Sequence, residues 1–376
     1  MQTIKLESTS VECSFLEWMN SLSTLTTLEV KYSANATPTV LANWVQANPN
    51  LTSFSFMLWQ SERRKDLSLL EASIRSATQL LDFGFQTLDT LFPSHFRRVN
   101  WNTANVDVNV TLSELASAWP QITHLWVDCF SGVSIHEQAL GNSQFNLLRH
   151  FRMDCNQEDW DNFSEDWLPC WPNLATLVLY DLQLWCPSQI VKQVGQLTAL
   201  QTLHLVSNAR NWTSLIILDL LQSLPGMPQL ASLVLPYCAL SNTDPFEEWI
   251  ACLTQCTALT GLHIALKSMD HVSAVFSTMT QLQVLSLEFD GEMADALQDL
   301  VLQSHNICRC RVTSSSLRWR SRHFGNNNAM QKSISLVESL TLRIPLKSGG
   351  YVPLVDSVYK LDALGQHYLA VAWNVE

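Results

Sequence analysis

Ile122-x-x-Leu125-x-Val127, Leu148-x-x-Phe151-x-Met153, Leu174-x-x-Leu177-x-Leu179 and Leu200-x-x-Leu203-x-Leu205 are four copies of one pattern, each beginning 26 residues after the last. A fixed period of this size marks a stack of repeats. Residues two apart in a strand point the same way. The last two apolar residues of each copy therefore share one face, and the residues between them share the other. One such strand cannot bury its apolar side alone. Parallel stacking with its copies makes a continuous core, and parallel neighbours need a crossover of about a dozen residues, which the rest of the period supplies.

Outward from this stretch, the pattern starts at 25 and 51, then at 96, 122, 148, 174, 200, 230, 259, 282 and 307, and resumes at Val337. Residues 1–24 are expected to form a capping helix, with Phe15, Trp18, Met19 and Leu22 at helical spacing. Residues 25–312 form the main array. Residues 60–95 break the rhythm. Leu80-x-x-Phe83-x-Phe85 fits the strand pattern, but the next copy starts at Phe96, only 16 residues on. One or two helices over 67–92, in an enlarged crossover, are favoured over a degenerate extra repeat. Residues 313–333, rich in Arg, Ser and Asn, read as a loop, and 334–376 as terminal repeats. Thr37-Pro38, Ser188, either Asn211 or Thr213, and Asp244-Pro245 read as helix starts.

The whole pattern resembles the leucine-rich repeat, most closely the ribonuclease-inhibitor type and the repeat arrays of F-box proteins. Openings such as Pro49-Asn50-Leu51, Trp119-Pro120-Gln121-Ile122, Trp171-Pro172-Asn173-Leu174 and Met227-Pro228-Gln229-Leu230 look like the Pro-x-Leu start common in the second group. The resemblance implies an α/β solenoid, a horseshoe with a parallel concave sheet and helices on its convex side. It implies binding of a protein partner on the concave face. A further implication is the substrate-recognition subunit of a ubiquitin ligase, although repeats beginning by residue 25 leave room for one helix and no F-box.

Composition narrows the function. Hydrophobic residues are 47% and charged residues 15%, which fits a folded core rather than a disordered chain. The net charge of −12 weighs against nucleic acid or an anionic membrane as partner. Ten scattered cysteines, no secretory start and no membrane-length apolar run point to a reduced, cytoplasmic protein. Sequons at Asn35, Asn50, Asn109, Asn162 and Asn211 are the counter-signal.

The strand positions facing away from the core are the candidate binding residues. They are His124, Trp126 and Asp128, then His150, Arg152 and Asp154, then Tyr180 and His204. Neighbouring parallel strands lie about 4.8 Å apart, so Trp126 is expected beside Arg152, as a cation–π pair, and His124 beside His150. Trp, Tyr and Arg are enriched in binding hot spots. His124 and Asp128 are about 13 Å apart along a strand, so the two His and two Asp cannot share one ion. His305-x-x-Cys308-x-Cys310 has metal spacing, but Cys310 falls on a core position. No metal, cofactor or catalysis is expected. Trp44, Trp119, Trp171, Trp212 and Trp249 are expected in the core. Arg309, Arg311, Arg318, Arg320 and Arg322 form a basic group able to receive an acidic peptide or a phosphate, or simply a solvated loop.

Overall fold

A computed structural model describes residues 2–7, 18, 22, 24–31, 36–57, 67–86, 96–102, 117–129, 146–155, 171–180, 187–206, 212–235, 246–266, 275, 278–289, 309–314 and 339–341. The chain divides into two compact units, Met1–Thr176 and Leu177–Glu376.

In the first unit the strands are β1 (Gln2–Glu7), β2 (Leu25–Lys31), β3 (Ser53–Met57), β4 (Asp82–Gln86), β5 (Arg98–Asn102), β6 (His124–Cys129) and β7 (His150–Cys155). Each pairs in parallel with the next. The strand β8 (Thr176–Tyr180) begins on the last residue of the first unit, and the second unit holds the rest of it with β9 (Thr202–Val206), β10 (Ser232–Val234), β11 (Gly261–Leu266), β12 (Val284–Phe289), β13 (Arg309–Ser314) and β14 (Ser339–Thr341). From β9 to β13 the neighbours are parallel. The register matches apolar to apolar at every step, as in Leu125↔Phe151 and Leu262↔Leu285. Each unit is a stack of leucine-rich repeats, an open sheet that is parallel except at β14, with helices in the crossovers.

The helices start where their capping chemistry allows. In α1 (Pro38–Ala47), Thr37 accepts a hydrogen bond from the Val40 amide at 3.3 Å, and Pro38 occupies a first-turn position that needs no amide. The helix α2 spans Ser68–Ser76 and packs on α1, with Gln46 Nε2 donating to Ser73 Oγ at 2.8 Å. In the second unit, α3 (Pro187–Val194), α4 (Ser214–Ser223) and α5 (Phe246–Gln255) pack in sequence, and Thr213 caps α4 through the Ile216 amide at 3.4 Å.

A turn precedes many of the described strands. The amides of Leu51, Ile122, Leu174 and Leu230 donate to the carbonyls three residues earlier, on Asn48, Trp119, Trp171 and Met227. Pro49, Pro120, Pro172 and Pro228 thus sit at the second position of a β-turn, whose backbone angle a proline ring presets. The core lies between sheet and helices. Phe54, Phe56, Phe83 and Phe85 line it from β3 and β4, and Phe83 stacks on Phe96 at 4.7 Å between ring centroids. Trp44, Trp119, Trp171, Trp212 and Trp249 are all less than 2% exposed.

Three expectations are corrected. Residues 2–7 form a strand, not the start of a capping helix. Ile4 pairs with Leu28 and Leu6 with Val30, and the Lys5 ammonium meets the Glu29 carboxylate at 2.8 Å. Met1-x-x-Ile4-x-Leu6 fits the strand pattern, and the β-branched Thr3 and Ile4 suit a strand. Of the rest of that expected helix, only residues 18, 22 and 24 lie among those described.

The second correction concerns 67–92. Residues 67–86 are an extra repeat, α2 followed by β4, and β4 pairs in parallel with both β3 and β5, while 87–92 lie outside the described residues. Burial of Phe83 and Phe85 against the core outweighs the helical spacing of the same apolar residues. Third, β14 is not a further parallel repeat but runs antiparallel to β13, with Val312 opposite Leu340. Of the loop expected over 313–333, Thr313 and Ser314 belong to β13, and 315–333 lie outside the described residues, as do the other residues of 334–376 and Arg318, Arg320 and Arg322.

Candidate functional site

The 26-residue period sets β6 and β7 in direct register: His124 beside His150, Trp126 beside Arg152 and Asp128 beside Asp154. Leu125, Val127, Phe151 and Met153 are buried on the core side, so the alternating residues lie on the other face.

The guanidinium carbon of Arg152 lies 3.7 Å from the Trp126 ring centroid. Arg152 is only 7% exposed, whereas Trp126 is half-buried. The cation is therefore a support for the indole rather than an exposed contact. Beside this pair the His124 and His150 rings stack at 4.0 Å and 18°. The structure thus brings His124, Trp126, His150 and Arg152 together. Asp128 and Asp154 are neighbours in the ladder, and their side chains lie outside the described ones.

Hydrogen bonds fix the histidines. Thr123 Oγ1 donates its proton to the Arg97 carbonyl at 3.0 Å and lies 2.8 Å from His124 Nδ1. A hydroxyl has one proton, so the second bond runs from His124 Nδ1–H to Thr123 Oγ1. On the far side, His150 Nδ1 lies 2.9 Å from Thr176 Oγ1. Burial, then the facing His150 and the Arg98 charge, draw the His124 pKa down to about 4. Burial, then Arg149 and Arg98, lower that of His150. Charging either ring costs desolvation and repulsion from its neighbours, so the pair is neutral at pH 7.

Tyr180 and His204 belong to the second unit. Tyr180 ends β8, and its side chain lies outside the described ones. His204 is corrected as a surface contact. It is 2% exposed, with Nε2 at 3.0 Å from Ser232 Oγ on the next strand, and burial draws its pKa down to about 4. Val178, Val234 and His263, at the equivalent positions of neighbouring repeats, are also buried, at 1%, 8% and 8% exposure. Close spacing of successive strands covers these central positions from both sides.

Residues outside the candidate set also gather in the first unit. Arg97, Arg98, Leu81 and Leu147 surround an open depression beside His124. The sequence held a signal: Arg98, His124 and His150 occupy the third position of three consecutive repeats. Among the described residues no group of three or more His, Cys, Asp or Glu is placed to hold a metal ion, and no helix is long and apolar enough to cross a membrane.

No protein-family model and no curated protein matches the sequence. Solved structures similar to it include a protein from Bacteroides fragilis, at 15% identity over 57% of this chain and 65% of that one, with a TM-score of 0.35. The chain thus spans under two thirds of that protein. The leucine-rich repeat-containing protein LegL7 from Legionella pneumophila is 14% identical over 80% of this chain and 78% of that one, with a TM-score of 0.35. TLR13, in a complex with single-stranded RNA, is 13% identical over 72% of this chain and 46% of that one, with a TM-score of 0.38.

Proposed function

We propose that this leucine-rich-repeat chain is a non-catalytic scaffold that binds a protein partner on the strand face of its first unit. The observation that carries the reading is the Trp126–Arg152 stack beside the paired imidazoles of His124 and His150. An indole held in place by a cation and by direct strand register loses little conformational freedom on binding, and a rigid aromatic anchor is what a hot spot needs. Trp126, His124 and His150 supply the accessible surface, and Arg152 orients the indole. Tyr180 and the side chains of Asp128 and Asp154 extend the candidate set on sequence grounds.

The free thiols of Cys252 and Cys256 support a reducing, cytoplasmic setting. The ligase-subunit reading rests on the Pro-x-Leu openings. The β-turns account for those prolines by backbone geometry alone, so the scaffold reading is preferred; co-purification of a ligase adaptor would reverse that preference.

The test is affinity purification from cells with the wild-type chain and with Trp126→Ala, each verified by thermal unfolding. Loss of a reproducible partner with Trp126→Ala, and its return with Trp126→Phe, supports the reading. Undiminished recovery with Trp126→Ala removes it.

A further inference from the structure

The depression beside His124 has a volume of about 360 Å³ and lies at the leading ends of β4, β5 and β6, wholly within the first unit. That is about twelve times the share of one water in the liquid, about 30 Å³, and so exceeds the needs of a lone ion. Arg97 and Arg98 line it from the start of β5, Asp82 from β4 and His124 from β6. Its flanks are Leu81, 37% exposed, and Leu147, 51% exposed. These are two of the five large hydrophobic residues exposed among the described ones, so the depression combines cations with uncovered apolar surface.

Two arginines and one aspartate line the depression. Arg98 Nε stands 3.6 Å from Asp82 Oδ1 across a pair whose side chains are 60% and 35% exposed. This is a loose ion pair of the kind worth little by itself. On a chain of net charge −12, a local excess of cations beside bare leucines is a departure that charge complementarity explains. We propose that this depression docks a segment of a protein partner through one Asp or Glu carboxylate on Arg97 and Arg98, with a neighbouring apolar side chain between Leu81 and Leu147. A carboxylate matches the single surplus charge. A phosphate, with about −1.5 to −2 at neutral pH, would face Asp82 without enough cation to balance it.

The inference rests on the reading that this strand face engages protein, and it names the chemistry of the partner at one end of that face. Proton linkage follows from the groups around the depression. His124 and His150 are neutral at pH 7, with burial and the Arg98 and Arg149 charges holding the imidazolium form off. Burial raises the Asp82 pKa, and the Arg98 charge opposes that rise. A bound carboxylate favours the imidazolium of His124, so binding tightens as pH falls.

The test uses the full-length chain and fluorescein-labelled ten-residue peptides of alternating Glu and Leu, read by fluorescence anisotropy at pH 7.5 and 5.5. A Gln–Leu peptide and a phosphoserine–Leu peptide are the comparators. The expected result is at least five-fold tighter binding of the Glu peptide than of the Gln peptide, with a larger ratio at pH 5.5. Arg97→Glu is expected to bring the Glu peptide down to the Gln level without lowering the melting temperature, since Arg97 is exposed. Equal affinity for the Glu and Gln peptides overturns the proposal, as does an Arg97→Glu chain that binds like wild type. Tighter binding of the phosphoserine peptide overturns the choice of carboxylate. Partner recovery lost in Trp126→Ala but kept in Arg97→Glu sinks the depression alone. Peptide binding lost in Arg97→Glu, with partner recovery kept in Trp126→Ala, sinks the indole patch alone.

Discussion

Arg152 places its guanidinium carbon 3.7 Å from the centroid of the Trp126 ring, on the neighbouring strand and in direct register with it. The contact is mostly shielded from water, because Arg152 is 7% exposed. A desolvated cation–π contact contributes about 2 kcal/mol, against about 0.5–1 kcal/mol at an exposed site. A double-mutant cycle of Trp126→Ala and Arg152→Ala, read by urea unfolding, is expected to give a coupling of about 1–2 kcal/mol. Trp126→Phe is expected to retain most of the stability. It keeps a ring under the cation and removes an indole N–H that is buried with no hydrogen-bond partner among the described residues. A coupling indistinguishable from zero would mean that the two side chains merely lie close.

His204 makes stability depend on pH. Its pKa is near 4 in the folded chain against an ordinary 6.5. Above about 6.5 the ring is neutral folded or unfolded, and its contribution is fully present. As pH falls towards 4, the unfolded chain takes up a proton that the native chain refuses, and stability drops by roughly 1.4 kcal/mol per pH unit. Urea midpoints measured at pH 7.5 and 5.0 should therefore fall more steeply for wild type than for His204→Gln. Parallel pH profiles would remove the burial argument.

Gly84 has a packing reason rather than a conformational one. A methyl group built there would lie 2.5 Å from Ser55 Oγ and 2.8 Å from Ser55 Cβ, on the strand paired with it. Rotation of the serine moves the oxygen but not the Cβ. Gly84→Ala is expected to cost about 1–3 kcal/mol, the range for overpacking, and Ser55→Gly in the same chain to restore most of it. Chemical denaturation of the two single variants and the double checks this; an unchanged Gly84→Ala midpoint contradicts it.

Cys256 should resist alkylation. Burial, then the neighbouring Cys252, push its thiol pKa up to about 11, and its Sγ–H points to the Cys252 carbonyl at 3.6 Å. The thiolate is the reactive form, so at pH 8 the native thiol is protonated and covered. Iodoacetamide followed by peptide mapping is expected to spare Cys256 in buffer and label it in urea. Equal labelling of Cys252 and Cys256 in buffer would show that α5 opens readily.

The sequence was most informative where period and chemistry coincided. Eleven expected starts of the strand pattern, from 25 to 307, fall at the strands β2, β3 and β5 to β13, and the match at Leu80, set below the helical reading, falls at β4. Thr37 caps the helix it was expected to cap, and of Asn211 and Thr213 the second caps α4, whereas Ser188 lies inside α3 rather than at its cap. The N-terminal strand has the same signature, because Met1-x-x-Ile4-x-Leu6 obeys the pattern, and the helical spacing around Trp18 competes with it in the sequence. At 67–92 two periodicities competed for Phe85, a strand pattern from Leu80 and a helical spacing through Leu81. Periodicity alone could not choose between them, because a short apolar segment satisfies both strand and helix spacing.

By itself the sequence determined which residues become neighbours, since a constant period of 26 with an apolar–apolar register allows one alignment of adjacent strands. It thereby set Trp126 against Arg152 and His124 against His150. Only the tertiary structure decided which of those residues meet water. His204 and Arg152 occupy the same kind of strand position as Trp126, yet both are buried. The depression lined by Arg97, Arg98, Leu81 and Leu147 likewise joins residues that no single repeat contains. Exposure depends on the volumes of side chains from several strands at once, and a pattern read along one strand carries no record of them.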